Sequence, residues 1–560
     1  MLGWKWPAVL AGTLLFAGAL RAQTARPSPA PASASAVDQV VDRIIQQENR
    51  LMARVNRYTP LVEIYVQNTK PNHQLGPVPV HDYYYLGKAD LARGMVFQPL
   101  DLKTGGFVQT LAKPFKDLFS SSYDPDGFLQ MIYPDRRGLD RAHYTFRYVR
   151  REFLGEVRCL VFDVVPKPES GQGRFKGRIW VEDRHFTIVR FNGVFAPAPR
   201  LGMYFHFDSW RINVAPGVWL PAYVYSQENG QKGLLRGGVR FRAQMRLWAY
   251  NLSPAAREEA LSRILVESSG SSQPIQDQSQ ANSDLSPVQA ERAFEDQAAQ
   301  NVLDRLQSLG LLAPPGPVDQ VLDTVVNNLE VSNNLNLQPA VHCRVLLTTP
   351  LEAFAVGHTI VLSRGLIDVL PDEPSLATML AQELAEILLG HSIETKYAFS
   401  DRMIFNVKNT FHVLDFHESR KSEAEASAKA VELLKNSPYR SSLAKAGLFL
   451  KALQAESKDL RQLISPHLGN RPQEIQAIEQ LGPQLQPTNV KQIAALPLGS
   501  RIKVSPWNDQ IRMMQTQPVA LLYAREKMPF ELAPFYLHLE RVKGTSAGLS
   551  QTKPGGGNKP

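Results

Sequence analysis

Five consecutive positions, Gln382-Glu383-Leu384-Ala385-Glu386, gather the side chains of this sequence best suited to chemistry. They lie in EPSLATMLAQELAEILLGH, residues 373–391, whose apolar spacing predicts a helix. With Leu376 at zero and about 100° per residue, Leu380, Leu384 and Ile387 fall within about 80° of it, and Met379 at about −60°. Glu383 falls at about −20°, inside that apolar stripe. A carboxylate there costs several kcal/mol if buried without a partner, so Glu383 needs a partner, a cavity or a chemical task. Gln382 and Glu386 lie four residues apart on the adjoining face, one on each side of Glu383. Glu386, with Glu423 further along the chain, could hold a hard cation weakly through oxygen. The plainer alternative is a buried hydrogen-bonded cluster, with Glu383 satisfied by an arginine or a backbone N–H.

The arrangement resembles the His-Glu-x-x-His helix of the zincin metallopeptidases. There, two histidines one turn apart bind zinc, and the glutamate between them is general base for the zinc-bound water. Glu383 keeps the general-base position, while Gln382 and Glu386 stand at the two histidine positions. The surroundings extend the likeness. Glu352-Ala353-Phe354, His358-Thr359-Ile360-Val361-Leu362, Gly365-Leu366-Ile367 and Asp372-Glu373 follow in an order similar to that of the HtpX-like, CAAX-prenyl-protease-type zinc metallopeptidases, here in a soluble envelope form. That family continues with a second helix carrying Glu-x-x-x-Asp, whose Glu is the third zinc ligand. In SRKSEAEAS, residues 419–427, Glu423 matches that ligand and Ser427 stands where the family has Asp. The resemblance spans residues 287–460.

The resemblance implies metal-ligand positions at Gln382, Glu386 and Glu423, the first two substituted. Zinc prefers thiolate, imidazole and carboxylate, and an amide is a poor ligand. Changes one layer out from a metal already cost ~10–100-fold in affinity or activity. His391 lies nine residues beyond Gln382, half a turn away on a continuous helix. His412 and His417 precede the second helix, and nothing in their spacing turns them toward it. The expectation is no bound cofactor and an idle Glu383, with zinc present only in the alternative of an unusual ligand set.

The elements that must position these residues follow from the rest of the chain. Its 560 residues suggest two to four domains. Hydrophobic residues at 44% and charged residues at 21% exclude whole-chain disorder and a multi-span membrane protein. The net charge of +9 allows contact with anionic lipid or an envelope surface but does not argue for nucleic acid. No glycine-rich phosphate loop, Gly-x-Ser-x-Gly elbow or EF-hand loop is present, which removes nucleotide chemistry and serine hydrolysis.

Residues 1–22 read as a cleaved secretory signal: Lys5, then a 13-residue apolar run from Ala8 to Leu20, then Ala22. No cysteine follows for lipidation and no later segment spans a bilayer, so a periplasmic or secreted protein is expected. Residues 23–37 read as a Pro/Ala/Ser linker. Residues 38–252 are expected to form a helix plus a curved antiparallel sheet. A Ser/Gln-rich linker covers 253–286, and a mostly helical zincin-like domain 287–480. A small α/β extension at 481–545, with strands at Arg501–Val504 and Phe535–Val542, precedes a disordered tail at 546–560. The fold class is α+β.

The sheet half is similar in architecture to the carrier fold of outer-membrane lipoprotein-sorting proteins, whose concave face can hold acyl chains. Tyr204, Phe205, Phe207, Trp210, Trp219, Tyr223 and Tyr225 are candidates to line such a cavity or simply to fill a core. Val239 to Leu247 alternates with Arg240, Arg242, Gln244 and Arg246, which predicts one buried face and one wet, basic face. Tyr83-Tyr84-Tyr85 reads as a strand fragment without a function. Cys159 and Cys343, 184 residues apart, are expected as two separately buried thiols rather than a bridge. The functional expectation is a non-catalytic binding or assembly factor acting on exported or envelope proteins, and on lipid in one variant. The alternatives are an active zinc-dependent metalloendopeptidase and a lipid or lipoprotein carrier.

Overall fold

The computed structural model describes residues 36–72, 76–92, 94–100, 123–197, 205–232, 238–250, 287–390, 420–465, 468–469, 476–484, 502–504, 511–513, 530–534 and 537–542. The expected signal sequence, both linkers and the tail fall outside them, save Ala36 and Val37, which open the first helix.

Helix α1 (Ala36–Val55) is amphipathic and buries Val41, Ile44, Leu51 and Val55. It packs on an antiparallel sheet of ten strands: β1 (Leu61–Asn72), β2 (Gly76–Asp90), β3 (Val96–Pro99), β4 (Tyr144–Leu154), β5 (Val157–Pro166), β6 (Arg174–Glu182), β7 (Ile188–Ala196), β8 (Phe207–Ala215), β9 (Val218–Lys232) and β10 (Gly238–Trp248). The order is β3-β2-β1-β10-β9-β8-β7-β6-β5-β4. Consecutive strands pair within β1–β3 and within β4–β10, whereas β3 and β4 form the two opposite edges and β10 joins the two sets by pairing with β1, Ile64 opposite Met245. A short helix α2 (Pro125–Leu129), capped by Asp124, adds Phe128 and Leu129 to the α1 side. On that side Glu48 of α1 and Arg211 of β8, both fully buried, form a bidentate pair with two contacts of 2.6 Å.

The second half begins with α3 (Pro287–Ser308) and α4 (Pro317–Ser332). A small sheet follows, β11 (His342–Leu346), β12 (Ala353–Val356) and β13 (Thr359–Ser363), in the order β11-β13-β12. Then come α5 (Arg364–Val369), α6 (Glu373–Leu388), α7 (Arg420–Lys435), α8 (Leu443–Glu456), α9 (Arg461–Ile464) and α10 (Gln476–Glu479), and a hairpin of β14 (Ile502–Val504) and β15 (Ile511–Met513). The architecture is α+β, as expected. Among the described residues no helix is long and apolar enough to cross a membrane. Cys159 and Cys343 are buried free thiols. Burial pushes the Cys159 thiol up to about 12 and Cys343 upward as well.

The basic face of β10 is not wet, which corrects the sequence reading. Phe241, Ala243, Met245 and Leu247 face the α1 side. Gln244, Arg246 and Trp248 on the other face are also buried, and only Arg240 is exposed. The second half covers that face. Leu61, Tyr65, Tyr84, Leu86 and Trp248 share one apolar cluster with residues of α3 to α9. Trp248 Nε1 donates to Gly310 O at 2.9 Å.

Polar contacts fix this seat. Arg246, 6% exposed, pairs with Glu63, 1% exposed, through Nε at 2.9 Å and through Nη2. Glu63 also accepts from Thr349 N (2.6 Å), Thr349 Oγ1 (2.8 Å) and Tyr84 OH (2.9 Å). Arg242 pairs with Glu531 and donates to Leu532 O at 2.9 Å. Gln67 holds both Phe530 O and Leu532 N. Asp82 of β2 accepts from Gln462 N (2.9 Å) and Leu463 N (2.8 Å), tying α9 to the sheet.

The described part of Phe535–Val542 is irregular rather than a strand. It crosses the sheet instead: Glu156 N donates to Leu539 O at 2.9 Å, Val542 N to Asn213 Oδ1 at 2.8 Å, and Arg541 pairs with Glu182 and Asp183. Gly155, at φ +63, allows that approach, because a Cβ there would lie 2.5 Å from Leu539 N.

Breaking the buried pair by Arg246→Ala leaves Glu63 charged and out of water. The cost should be about 3–5 kcal/mol in urea unfolding, and Arg246→Met combined with Glu63→Leu should recover a large part of it.

Burial also pushes Asp82 up to about 6 and Glu456 up to about 7. A carboxyl raised on folding holds its proton more tightly in the folded chain, so its contribution is lost as pH rises from the unfolded to the folded value. Glu456→Gln should therefore gain stability relative to the parent chain as pH climbs from 4.5 to about 7, measured by urea unfolding at each pH.

Candidate functional site

Helix α6 starts where its sequence says it should. Asp372 caps it by accepting from Ser375 N (3.0 Å) and Ser375 Oγ (2.6 Å), and Pro374 sits in the first turn. It ends at Leu388 because Gly390 turns left-handed, at φ +68, three residues before the expected end. Burial is wider than the stripe of Leu376, Leu380, Leu384 and Ile387. Ala377, Ala381 and Ala385 are buried too, while Leu376 and Ile387 are half-buried. The small alanines let neighbouring elements close in on a second side, and α6 packs against α4, α7, α8 and β12.

Glu383 and Glu386 are each 2% exposed, and Gln382 is half-buried. Both carboxylates are engaged by neighbouring groups. Helix α7 lies alongside, and its Ser427 Oγ donates to Gln382 Oε1 at 3.2 Å. Gln382 Nε2 in turn reaches Glu386 Oε1 at 3.5 Å. The glutamine amide thus joins a residue at one ligand position to a residue at another, with Ser427 as a third member. The contact between Ser427 and Gln382 sets the register of the two helices and puts Glu423 one turn earlier on α7. Neither partner's identity announced that contact in the sequence.

Among the described residues, the donor set does not fit a zinc ion. Among the described residues, no group of three or more His, Cys, Asp and Glu is placed to hold a metal. No imidazole stands on α6 or α7, and the Gln382 oxygen already accepts from Ser427. His391, His412 and His417 lie outside the described residues.

The candidate aromatics of the sheet do not share one face. Phe205 and Phe207 pack on the α1 side. Trp210, Trp219, Tyr223 and Tyr225 pack on the opposite side, against Leu537 and Leu539. Tyr204 lies outside the described residues. On the α1 side Phe175, Phe191, Phe207 and Phe241 are fully buried, in one cluster with Val41 and Ile44 of the helix.

Residues 318–481 match the model of peptidase family M48. That segment runs from α4 past α10 and overlaps the stretch whose motifs resemble such peptidases, so this part of the chain is M48 peptidase-like. No curated protein matches the chain. Two solved structures are similar to its N-terminal half. One is a DUF1329 family protein from Desulfovibrio piger, at 10% identity, covering 37% of this chain and 90% of its own, with a TM-score of 0.17. The other is a putative outer membrane lipoprotein-sorting protein domain from Vibrio parahaemolyticus, at 11% identity, covering 36% and 89%, with a TM-score of 0.16. At those values neither bears on what this chain does.

The Ser427–Gln382–Glu386 relay predicts a small, coupled stability effect. Ser427→Ala and Gln382→Ala should each cost about 0.5–1.5 kcal/mol. Thermal or urea unfolding of the double variant should cost less than the two single costs added, by about 0.5 kcal/mol or more.

Proposed function

We propose that this chain is an exported envelope protein whose M48 peptidase-like domain works by binding, without cutting. The observation that carries the reading is the hydrogen-bonded amide of Gln382 at a ligand position, linked to Ser427 and to Glu386. A side chain that orders its neighbours by hydrogen bonds does there what a metal does in an active zincin: it holds α6 and α7 in register. Glu383 then sits at the general-base position with no metal-bound water to activate. Partners would be exported or envelope proteins, in keeping with the secretory signal read at residues 1–22. Lipid carriage by the sheet has less support, because α1 and the aromatic side chains occupy the face that would hold acyl chains.

The test is metal content and cleavage together. The full chain, equilibrated with zinc and freed of excess, should hold no stoichiometric zinc by elemental analysis and should not cleave a denatured protein substrate. A stoichiometric zinc that disappears in Glu386→Ala and Glu423→Ala, together with cleavage that disappears in Glu383→Gln, would establish the metallopeptidase alternative instead.

A further inference from the structure

Away from α6 and α7, a half-open cleft of about 460 Å³ lies between α3, the start of α4, and β11. None of its wall belongs to α6 or α7. The wall carries three carboxylates, Asp304, Asp319 and Asp323, against one guanidinium, Arg344.

Asp319 is the informative member. It is 5% exposed, and its Oδ2 accepts from Gly316 N at 2.6 Å, closing the first turn of α4. Its Oδ1 has no hydrogen-bond partner. Arg344 does not supply one, since its Nη2 donates to Ala313 O at 2.7 Å and its Nε has no partner. Asp323 accepts from Cys343 N at 2.7 Å, and its other oxygen stands 3.9 Å from His342 Nδ1. Asp304 is exposed at the mouth, where Gln300 donates to it at 2.7 Å. A buried carboxylate oxygen without a donor is costly, and a native fold keeps such an atom where something else completes it.

We propose that this cleft binds an organic cation, an alkylammonium or guanidinium group, with Asp319 as its principal acceptor and Asp304 and Asp323 supplying the surrounding negative field. The charge excess on the wall selects a cation over an anion. The carboxylates do not converge as metal ligands among the described residues, which favours a diffuse organic charge over a metal ion. The volume is in the range of small-molecule sites and exceeds what a bare ion needs. Leu303 and Pro315 give the carbon part of such a ligand an apolar surface. Burial holds the Asp319 carboxyl up at about 6, against the lowering effects of the Gly316 N–H and the nearby Arg344 charge, which do not offset it. A free amine and a lysine or arginine side chain of a peptide present the same chemistry here.

The test is calorimetric titration of the full chain with n-butylammonium and n-butylguanidinium, alongside neutral n-pentanol, butyrate and the capped peptide acetyl-Gly-Lys-Gly-amide. Both small cations should bind at one saturable site, and the alcohol and the carboxylate should not. Asp319→Asn keeps an acceptor for Gly316 N and should weaken binding ~10-fold or more. If that variant does not fold, Asp304→Asn, exposed at the mouth, should still weaken binding measurably with an unchanged melting temperature. Tighter binding of the peptide than of n-butylammonium would assign the cation to a polypeptide partner, and the reverse to a free amine; both uphold the site. No binding of either small cation, equal binding of butyrate, or undiminished binding in both variants would overturn it.

Discussion

The structure turns on a charge pair taken out of water between its two halves. Glu63 and Arg246 lie opposite one another on β1 and β10, and each also reaches Thr349. Neither ion is tolerable there alone, so the carboxylate must be surrounded by donors, which Thr349 and Tyr84 supply. Thr349 in turn is packed by Gly365 of α5, where a Cβ would lie 1.8 Å from the Thr349 carbonyl oxygen. Helix α6 begins only a few residues further on. The ion pair, the glycine contact and the start of the helix bearing Glu383 are therefore consecutive links in one rigid path.

That path joins the sheet to the helical half. Strands β1, β2 and β10 are buried on both faces, one by α1 and the other by the M48-like domain. The irregular segment at 537–542 then covers the far strands, adding Leu539 to the tryptophan-rich side. A sheet covered in this way presents few open faces, and its aromatics serve as packing for two layers. Functional surfaces must then be sought on the helical half and at exposed edges.

Within the helical half, the departures from the peptidase pattern are mutually consistent. Gln382 stands at a histidine position and Ser427 at the aspartate position of the family pattern, and the two are joined by a hydrogen bond. A glutamine alone would leave its oxygen without that donor. Helices α6 and α7 pack together through this contact, and α6 is buried on more sides than its leucine stripe suggested.

The sequence by itself determined the local elements. Alternation gave the hairpins, capping residues such as Asp372 and Pro374 gave the helix starts, and the order of motifs from Glu352 to Ser427 marked the peptidase-like domain. It also put Glu383 inside a buried stripe, because helical period depends only on neighbouring residues. What it did not determine was every feature created by distant chain segments. The arginines of β10 alternate like a solvated face, and only their partners Glu63 and Glu531 make that face an interior one. Tyr84 looked like one of three strand tyrosines until Glu63 gave its hydroxyl a task. Phe535–Val542 has strand-like residues, but its described part, 537–542, is an irregular strap held by Asn213, Glu182 and Asp183. Periodicity reports which face a residue is on. Whether that face meets water or another part of the chain is decided by burial and charge pairing across hundreds of residues, which only the tertiary structure supplies.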